Sequence, residues 1–175
     1  MNKELKDILD IHKVKKSTKN INDLSVTLKK SKTKGSGLYA SKNIKKNTVI
    51  SYYKMKVFND NKYKSPTKDM YQFSVYNKNG RENKTLVADL YEGSIEKPFR
   101  GKPFWAFFSN EPGPGQTENS HIYEDSAKNY RNRNKLKEGD TVIYKLVSTR
   151  NILKGEEIVW CYGDNYIRDY EVESC

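Results

Sequence analysis

Three short segments hold residue types whose order suits chemistry. The first, KGSGLYASKNIKKNTVI, sets Ser36 between Gly35 and Gly37, with strand-like residues beyond. Glycine lets backbone amides and carbonyls approach a ligand closely, so this is a candidate pass against a bound molecule; the plainer alternative is a tight turn before a hairpin. It lacks the remaining glycine and the following helix of a dinucleotide fingerprint. In the second, FWAFFSNEPGPGQTENSHI, an apolar run from Phe104 to Phe108 ends abruptly at Asn110 and Glu111. That is a way to hold a rigid donor and acceptor beside a pocket, or simply a short core helix with Asn110 capping its loop. The third, ILKGEEIVWCYGDNY, turns at Lys154-Gly155 and runs to Tyr162-Gly163. A phenol at a strand end can donate a hydrogen bond or orient an amine; it can equally be a rim aromatic. Glu156 and Glu157 look like paired carboxylates, but Glu156 is expected to close a turn and Glu157 to be structural.

Positioning these residues falls to many short strands. SVTLKKS opens one at Val26 and Leu28, and Leu38 to Ala40 is another. Val49 to Val57 alternates with β-branched and aromatic residues. Gln72 to Tyr76, Thr85 to Leu90, Thr141 to Thr149 and Glu157 to Cys161 complete the set. Asn79-Gly80 and Glu138-Gly139-Asp140 mark turns, and Pro112 to Gly115 forces an irregular loop. Only Lys102 to Ser109 and the two ends suggest helix. His121 is expected in a loop or at a strand start. The expected architecture is mainly β, with several small sheets and few short helices.

Composition bounds the rest. The chain has 175 residues, enough for one domain and a modest appendage, and carries a formal charge of +11. Ten Lys and four acidic residues fall in residues 1–34, so over half of the excess lies in under a fifth of the chain. Lysine-rich arms bind phosphate regardless of sequence. Leu5, Ile8, Leu9 and Ile11 to Val14 suit a short amphipathic helix within that arm. Thirteen Tyr and two Trp favour a folded chain over disorder. Two Cys, Cys161 and Cys175, exclude a disulfide framework and thiolate-rich zinc sites, and both are expected to stay reduced. His12 and His121 are too few for a metal centre. No apolar run approaches membrane-spanning length, and the N-terminus lacks the apolar stretch of a secretory signal, so the expected compartment is intracellular.

In this order the three segments resemble the SET-domain protein lysine methyltransferases, over about Leu24 to Tyr166. The opening motif is Gly35-Ser36-Gly37-Leu38-Tyr39-Ala40, continued by Ile44 to Ile50 and Tyr52-Tyr53, with Asn47 where the family has glycine. Met70-Tyr71-Gln72-Phe73 resembles its mid-domain strand; Ala88-Asp89, Phe104 to Asn110 and Asn119 resemble its central motif. Ile152, Gly155-Glu156-Glu157-Ile158, Tyr162-Gly163 and Tyr166 meet its last motif nearly completely. The family's Asn-His-Ser-Cys reads Asn110-Glu111-Pro112-Gly113 here, and the flanking cysteine-rich zinc segments are missing. The compact form is similar to small SET proteins of large DNA viruses.

The resemblance implies a β-clip SET fold with a C-terminal pseudoknot. Residues 1–23 would form a basic arm, 24–166 the SET domain and 167–175 a pocket-closing tail, with Tyr166, Ile167 and Tyr170 replacing the zinc segments. It implies methyl transfer from S-adenosylmethionine to a lysine ε-amine, giving S-adenosylhomocysteine, without a metal. Tyr162 would align the amine, Tyr71 would line the lysine channel, and Trp160 would help decide how many methyls fit. Lys34, Gly35, Ser36, Gly37 and Tyr39 would line the cofactor's methionine end; Asn110 would meet its amino group, Glu111 the adenine, and Tyr166 would stack on the adenine or cap the pocket. The implied substrate is a histone tail in a nucleus, or a host nucleus for a viral protein. Because a basic tail and a basic enzyme repel, Glu92, Glu96, Glu111, Glu118, Glu124 and Asp125 are candidates to line an acidic groove. Two alternatives remain: a SET-like binding module that has lost its chemistry, with Glu111-Pro112 as the permitting change, and a basic chromatin- or DNA-binding protein that docks through residues 1–34.

Overall fold

The computed structural model describes residues 10, 14–15, 24–31, 35–65, 70–77, 79–94, 98–125, 136–164, 166, 168, 170, 172 and 175. Seven strands occur there: β1 (Val26–Lys30), β2 (Ser36–Ala40), β3 (Val49–Asn59), β4 (Phe73–Tyr76), β5 (Glu82–Asp89), β6 (Ser120–Glu124) and β7 (Thr141–Ser148). β1 and β2 pair antiparallel as a ribbon, and the others form a sheet in the order β4-β5-β3-β7-β6. Its centre is β3, whose alternation drives Tyr53, Met55 and Val57 inward while Lys54 and Lys56 stay partly exposed. Tyr53 stands opposite Tyr144 and Met55 opposite Val142, so the buried faces of β3 and β7 coincide. Leu28, Leu38, Ile50, Leu146, Ile152 and Ile158 close one core between ribbon and sheet. Val14, helical and fully buried, joins that core from the arm; most of residues 1–23 lie outside the described residues.

Turn chemistry explains the connections. Asn77 Oδ1 accepts from the N–H groups of Asn79 and Arg81 across the β4–β5 turn, where Gly80 has φ of 72°. Asn47 has φ of 63° just before β3. Of the residues with a side chain, Asn is among the few that enter the left-handed region routinely, so it serves where glycine is usual in the resembled family.

Several expectations need correction. Lys102 to Ser109 is not a helix: only Ala106–Phe108 turn, as a 3-10 segment. The Pro103 carbonyl is drawn to β3 instead, accepting from the Tyr52 N–H and the Ser51 hydroxyl. Glu157 to Cys161 is not a strand but a crossing segment with single bridges on both sides, Tyr39 to Glu157 and Asn110 to Val159. β6 adds a strand to those expected, since SHIYE carries little alternation, and His121, its second residue, falls at a strand start as expected.

Cys161 and Cys175 are not reduced but joined, with Cα atoms 5.5 Å apart. The tail folds back beside the crossing segment, which brings two residues 14 positions apart into bonding range. Closing a loop of this length restricts the unfolded chain. Cys175→Ser is expected to lower stability by about 3 kcal/mol in oxidising buffer; thermal melts should show that difference vanish once a thiol reductant is added. Among the described residues no helix is long and apolar enough to cross a membrane.

Candidate functional site

The crossing segment brings the three sequence motifs together. Ile158 N–H donates to the Leu38 carbonyl at 2.7 Å, and Trp160 N–H to the Asn110 carbonyl at 3.0 Å. Residues 157–162 therefore lie between β2 and the 109–111 segment, the C-terminal insertion that the pseudoknot expectation requires. Asn119, buried, holds the segment from the other side: its Nδ2 donates to the Glu157 carbonyl and its Oδ1 accepts from the Val159 N–H. A primary amide supplies both a donor and an acceptor, so one side chain pairs two backbone groups that would otherwise be buried unpaired.

Asn110 lies where the apolar 3-10 segment ends. Its Nδ2 donates to the Ser36 carbonyl at 3.2 Å and to Glu157 Oε1 at 3.0 Å. Glu157 Oε2 accepts from the Tyr39 hydroxyl at 3.0 Å. A Cβ on Gly37 would lie 2.4 Å from Glu157 Oε1, so the glycine leaves the space that this carboxylate occupies. Ser36, Gly37, Tyr39, Asn110 and Glu157 thus form one half-buried polar cradle, with Gly35 at its turn (φ of 51°). Lys34 lies outside the described residues.

Beside the cradle stands an aromatic cluster. Tyr162 donates its hydroxyl proton to the Ser109 carbonyl at 2.9 Å. Its ring packs against Trp160 and Tyr166 at centroid distances of 4.9 and 4.7 Å. Phe73 contacts Tyr53, Tyr144 and Trp160. Burial pushes the Tyr162 phenol well above its ordinary range, and the nearby Tyr53, Tyr71, Tyr166 and Tyr170 add to the shift. Burial, then Tyr166 and Asp89, raise Tyr71 to about 12. The cluster therefore presents neutral phenols at working pH.

Glu111 has a role that its sequence position did not disclose. Its carboxylate is buried and fully engaged: Oε1 accepts from the Tyr162 N–H at 2.8 Å and from Arg168 Nη2 at 2.6 Å; Oε2 accepts from Arg168 Nε at 2.9 Å and the Tyr170 hydroxyl at 2.8 Å. Burial alone would raise this carboxyl; Arg168, the Tyr162 amide and Tyr170 outweigh it and hold the group below its ordinary value. Arg168 also donates to the Gly163 and Tyr166 carbonyls. The tail is thus clasped to the end of the crossing segment by one guanidinium, which the sequence reading missed; Ile167 lies outside the described residues.

Other candidates have structural duties. Glu156 accepts from the Leu153 N–H and pairs with Arg150 at 2.9 Å, closing the turn as expected. Asp89 accepts from Ser65, Tyr63 and the Leu90 N–H. Of the proposed groove acids, Glu111 is taken by Arg168, Asp125 pairs with Arg100 at 3.3 Å, and Glu118 accepts from the Cys161 N–H. Glu96 lies outside the described residues. Among the described residues no group of three or more His, Cys, Asp or Glu could hold a metal ion.

The chain matches the SET domain family over residues 35–163, about three quarters of its length. A search of curated protein sequences finds no match. Among solved structures it is similar to a candidate histone methyltransferase of Plasmodium falciparum, with TM-score 0.54 and 15% identity over 83% of this chain and 98% of that one. It is also similar to the methyltransferase domain of human PR domain-containing protein 2, with TM-score 0.53 and 19% identity over 86% of this chain and 85% of that one. Both likenesses concern the fold. The chain belongs to the SET-domain family of S-adenosylmethionine-dependent protein lysine methyltransferases.

Proposed function

We propose that this enzyme methylates a lysine ε-amine on a basic protein tail of the histone class, with Tyr162 as the residue that aligns the amine. The observation that carries the reading is the junction at Ser109-Asn110: one residue takes the Tyr162 phenol proton, and the next joins the Gly37–Glu157 cradle. The cradle fits the polar amino-acid end of S-adenosylmethionine, and the aromatic cluster fits a desolvated alkylamine. When bound, the cofactor supplies a sulfonium methyl carbon for in-line displacement by a neutral amine.

The chain's own residues then have three tasks. The walls of Tyr53, Tyr71, Phe73 and Trp160 exclude water and disfavour the ammonium form of the substrate, whose free pKa is about 10.4. The proton leaves to solvent, so no side-chain base is needed. Tyr162 directs its own proton at the Ser109 carbonyl, which leaves its oxygen lone pairs for the amine and for weak C–H contacts. That contribution is positioning and electrostatics. Trp160, beside Tyr162, limits the room for added methyl groups.

The Lys-rich arm, residues 1–34, would dock on nucleosomal DNA, which offsets repulsion between enzyme and substrate. The Glu111–Arg168 clasp of the tail supports a compact form like that of small viral SET proteins, and a chromatin substrate implies a nuclear site of action. Incubation with radiolabelled S-adenosylmethionine and core histones should label histone. Cofactor binding without labelling of histones or of any protein in a broad lysate would favour the binding-module reading instead.

A further inference from the structure

Three carboxylates converge at the crossing segment, and they are neutralised unequally. Glu111 is paired with Arg168 and Glu156 with Arg150. Glu157 has no cationic partner among the described residues. Its two hydrogen-bond donors, the Asn110 amide and the Tyr39 hydroxyl, are both neutral. It is half-buried, and it turns back over the Gly37 backbone, where any Cβ would collide with it. Lys29, near the same ring, faces the Tyr39 π-cloud at 5.5 Å from its centroid. Burial, followed by the hydrogen bond to Glu157 and its electrostatic influence, raises the Tyr39 phenol. A partly desolvated carboxylate held only by neutral groups lacks the countercharge that burial calls for.

We propose that Glu157 is the anionic partner of the α-ammonium group of bound S-adenosylmethionine. This assignment rests on the methyltransferase reading. The cofactor carries two positive groups, a sulfonium and an ammonium. Glu157 contacts Gly37, Tyr39 and Asn110, the end of the site assigned to the amino-acid moiety, whereas the sulfonium belongs beside Tyr162. Asn110 then acts as a positioning residue. By donating to Glu157 and to the Ser36 carbonyl together, it fixes the carboxylate over β2. The carboxylate, in turn, makes the site select ligands that carry an amino-acid tail.

Calorimetric titration of the full chain with three ligands tests this. S-adenosylmethionine carries both charges, S-adenosylhomocysteine keeps only the ammonium of the two, and 5′-methylthioadenosine lacks the amino-acid moiety. Glu157→Gln is expected to weaken the first two by about tenfold or more, the scale of one charged hydrogen bond, and to leave 5′-methylthioadenosine unchanged. Retained binding of that truncated ligand also certifies the fold. Glu157→Asp, which keeps the charge on a shorter arm, should recover part of the loss and provides a second variant if the amide form does not fold. Equal loss for all three ligands, no loss for any, or a loss confined to S-adenosylmethionine would overturn the assignment; the last outcome would place the charge against the sulfonium. Failure of the wild type to bind any of the three would instead overturn the methyltransferase reading itself.

Discussion

Tyr162→Phe is expected to lower kcat/KM for methyl transfer by about a hundredfold to a thousandfold, the usual cost of losing one preorganised polar group at a reacting centre. Binding of S-adenosylhomocysteine should stay close to wild type. The ring's contacts with Trp160 and Tyr166 survive the change, and the Glu111 contact is made by the Tyr162 backbone N–H, which the substitution leaves in place. What disappears is the hydroxyl that donates to Ser109 and that, on the proposed reading, presents its lone pairs to the amine. The loss should fall on kcat more than on KM, because the interaction strengthens as the methyl moves. Burial and the four neighbouring tyrosines keep this phenol neutral far beyond the ordinary tyrosine range, so a rise in rate with pH reports the substrate amine and not Tyr162. Tyr162→Ala removes the ring as well and should weaken cofactor binding too. A phenylalanine variant with full activity would reduce Tyr162 to a packing residue.

The sequence disclosed what depends on local spacing. The alternation of β3 and the turns at Gly80 and Gly139 follow from a few consecutive residues. The motif order likewise located Asn110 and Tyr162 beside one another, since a family pattern stores a long-range contact in short words. The crossing segment has the apolar alternation of a strand, while its neighbours meet it at single residues. The clasp was illegible for a different reason. Glu111 and Arg168 are 57 positions apart, and nothing local distinguishes either from a solvated charge. Only the path of the tail makes them partners, and the same path makes Cys161 and Cys175 a pair. Two cysteines in a basic chain read as spectators until the tail is seen to double back.

The clasp leads to the largest expected effect on stability. Arg168→Ala should cost about 3 kcal/mol at neutral pH, the range found when one member of a buried pair is removed. The Arg168 side chain is 18% exposed and that of Glu111 is 0% exposed, so the penalty comes mainly from a carboxylate left buried with only the Tyr162 amide and Tyr170 hydroxyl. For a chain of this length that corresponds to roughly 6–12 °C in Tm. The sign of the pH dependence follows from the lowered pKa of Glu111. Because the folded value lies below the unfolded one, the stabilisation is fully present above the ordinary carboxylate range and is lost as pH falls through the folded value. In Arg168→Ala the same group loses its principal stabiliser, burial dominates, and protonation relieves the variant. The two proteins should therefore converge in urea unfolding free energy on acidification and diverge at neutral pH. Glu111→Gln combined with Arg168→Met removes both charges and should be less destabilised than Arg168→Ala alone, because no buried ion is stranded. Cofactor affinity should fall in Arg168→Ala even where the protein remains folded, since the guanidinium holds the Gly163 and Tyr166 carbonyls. A difference between wild type and Arg168→Ala that is independent of pH would mean that the arginine acts through those carbonyls and not through Glu111, and the double variant would then be no more stable than the single one.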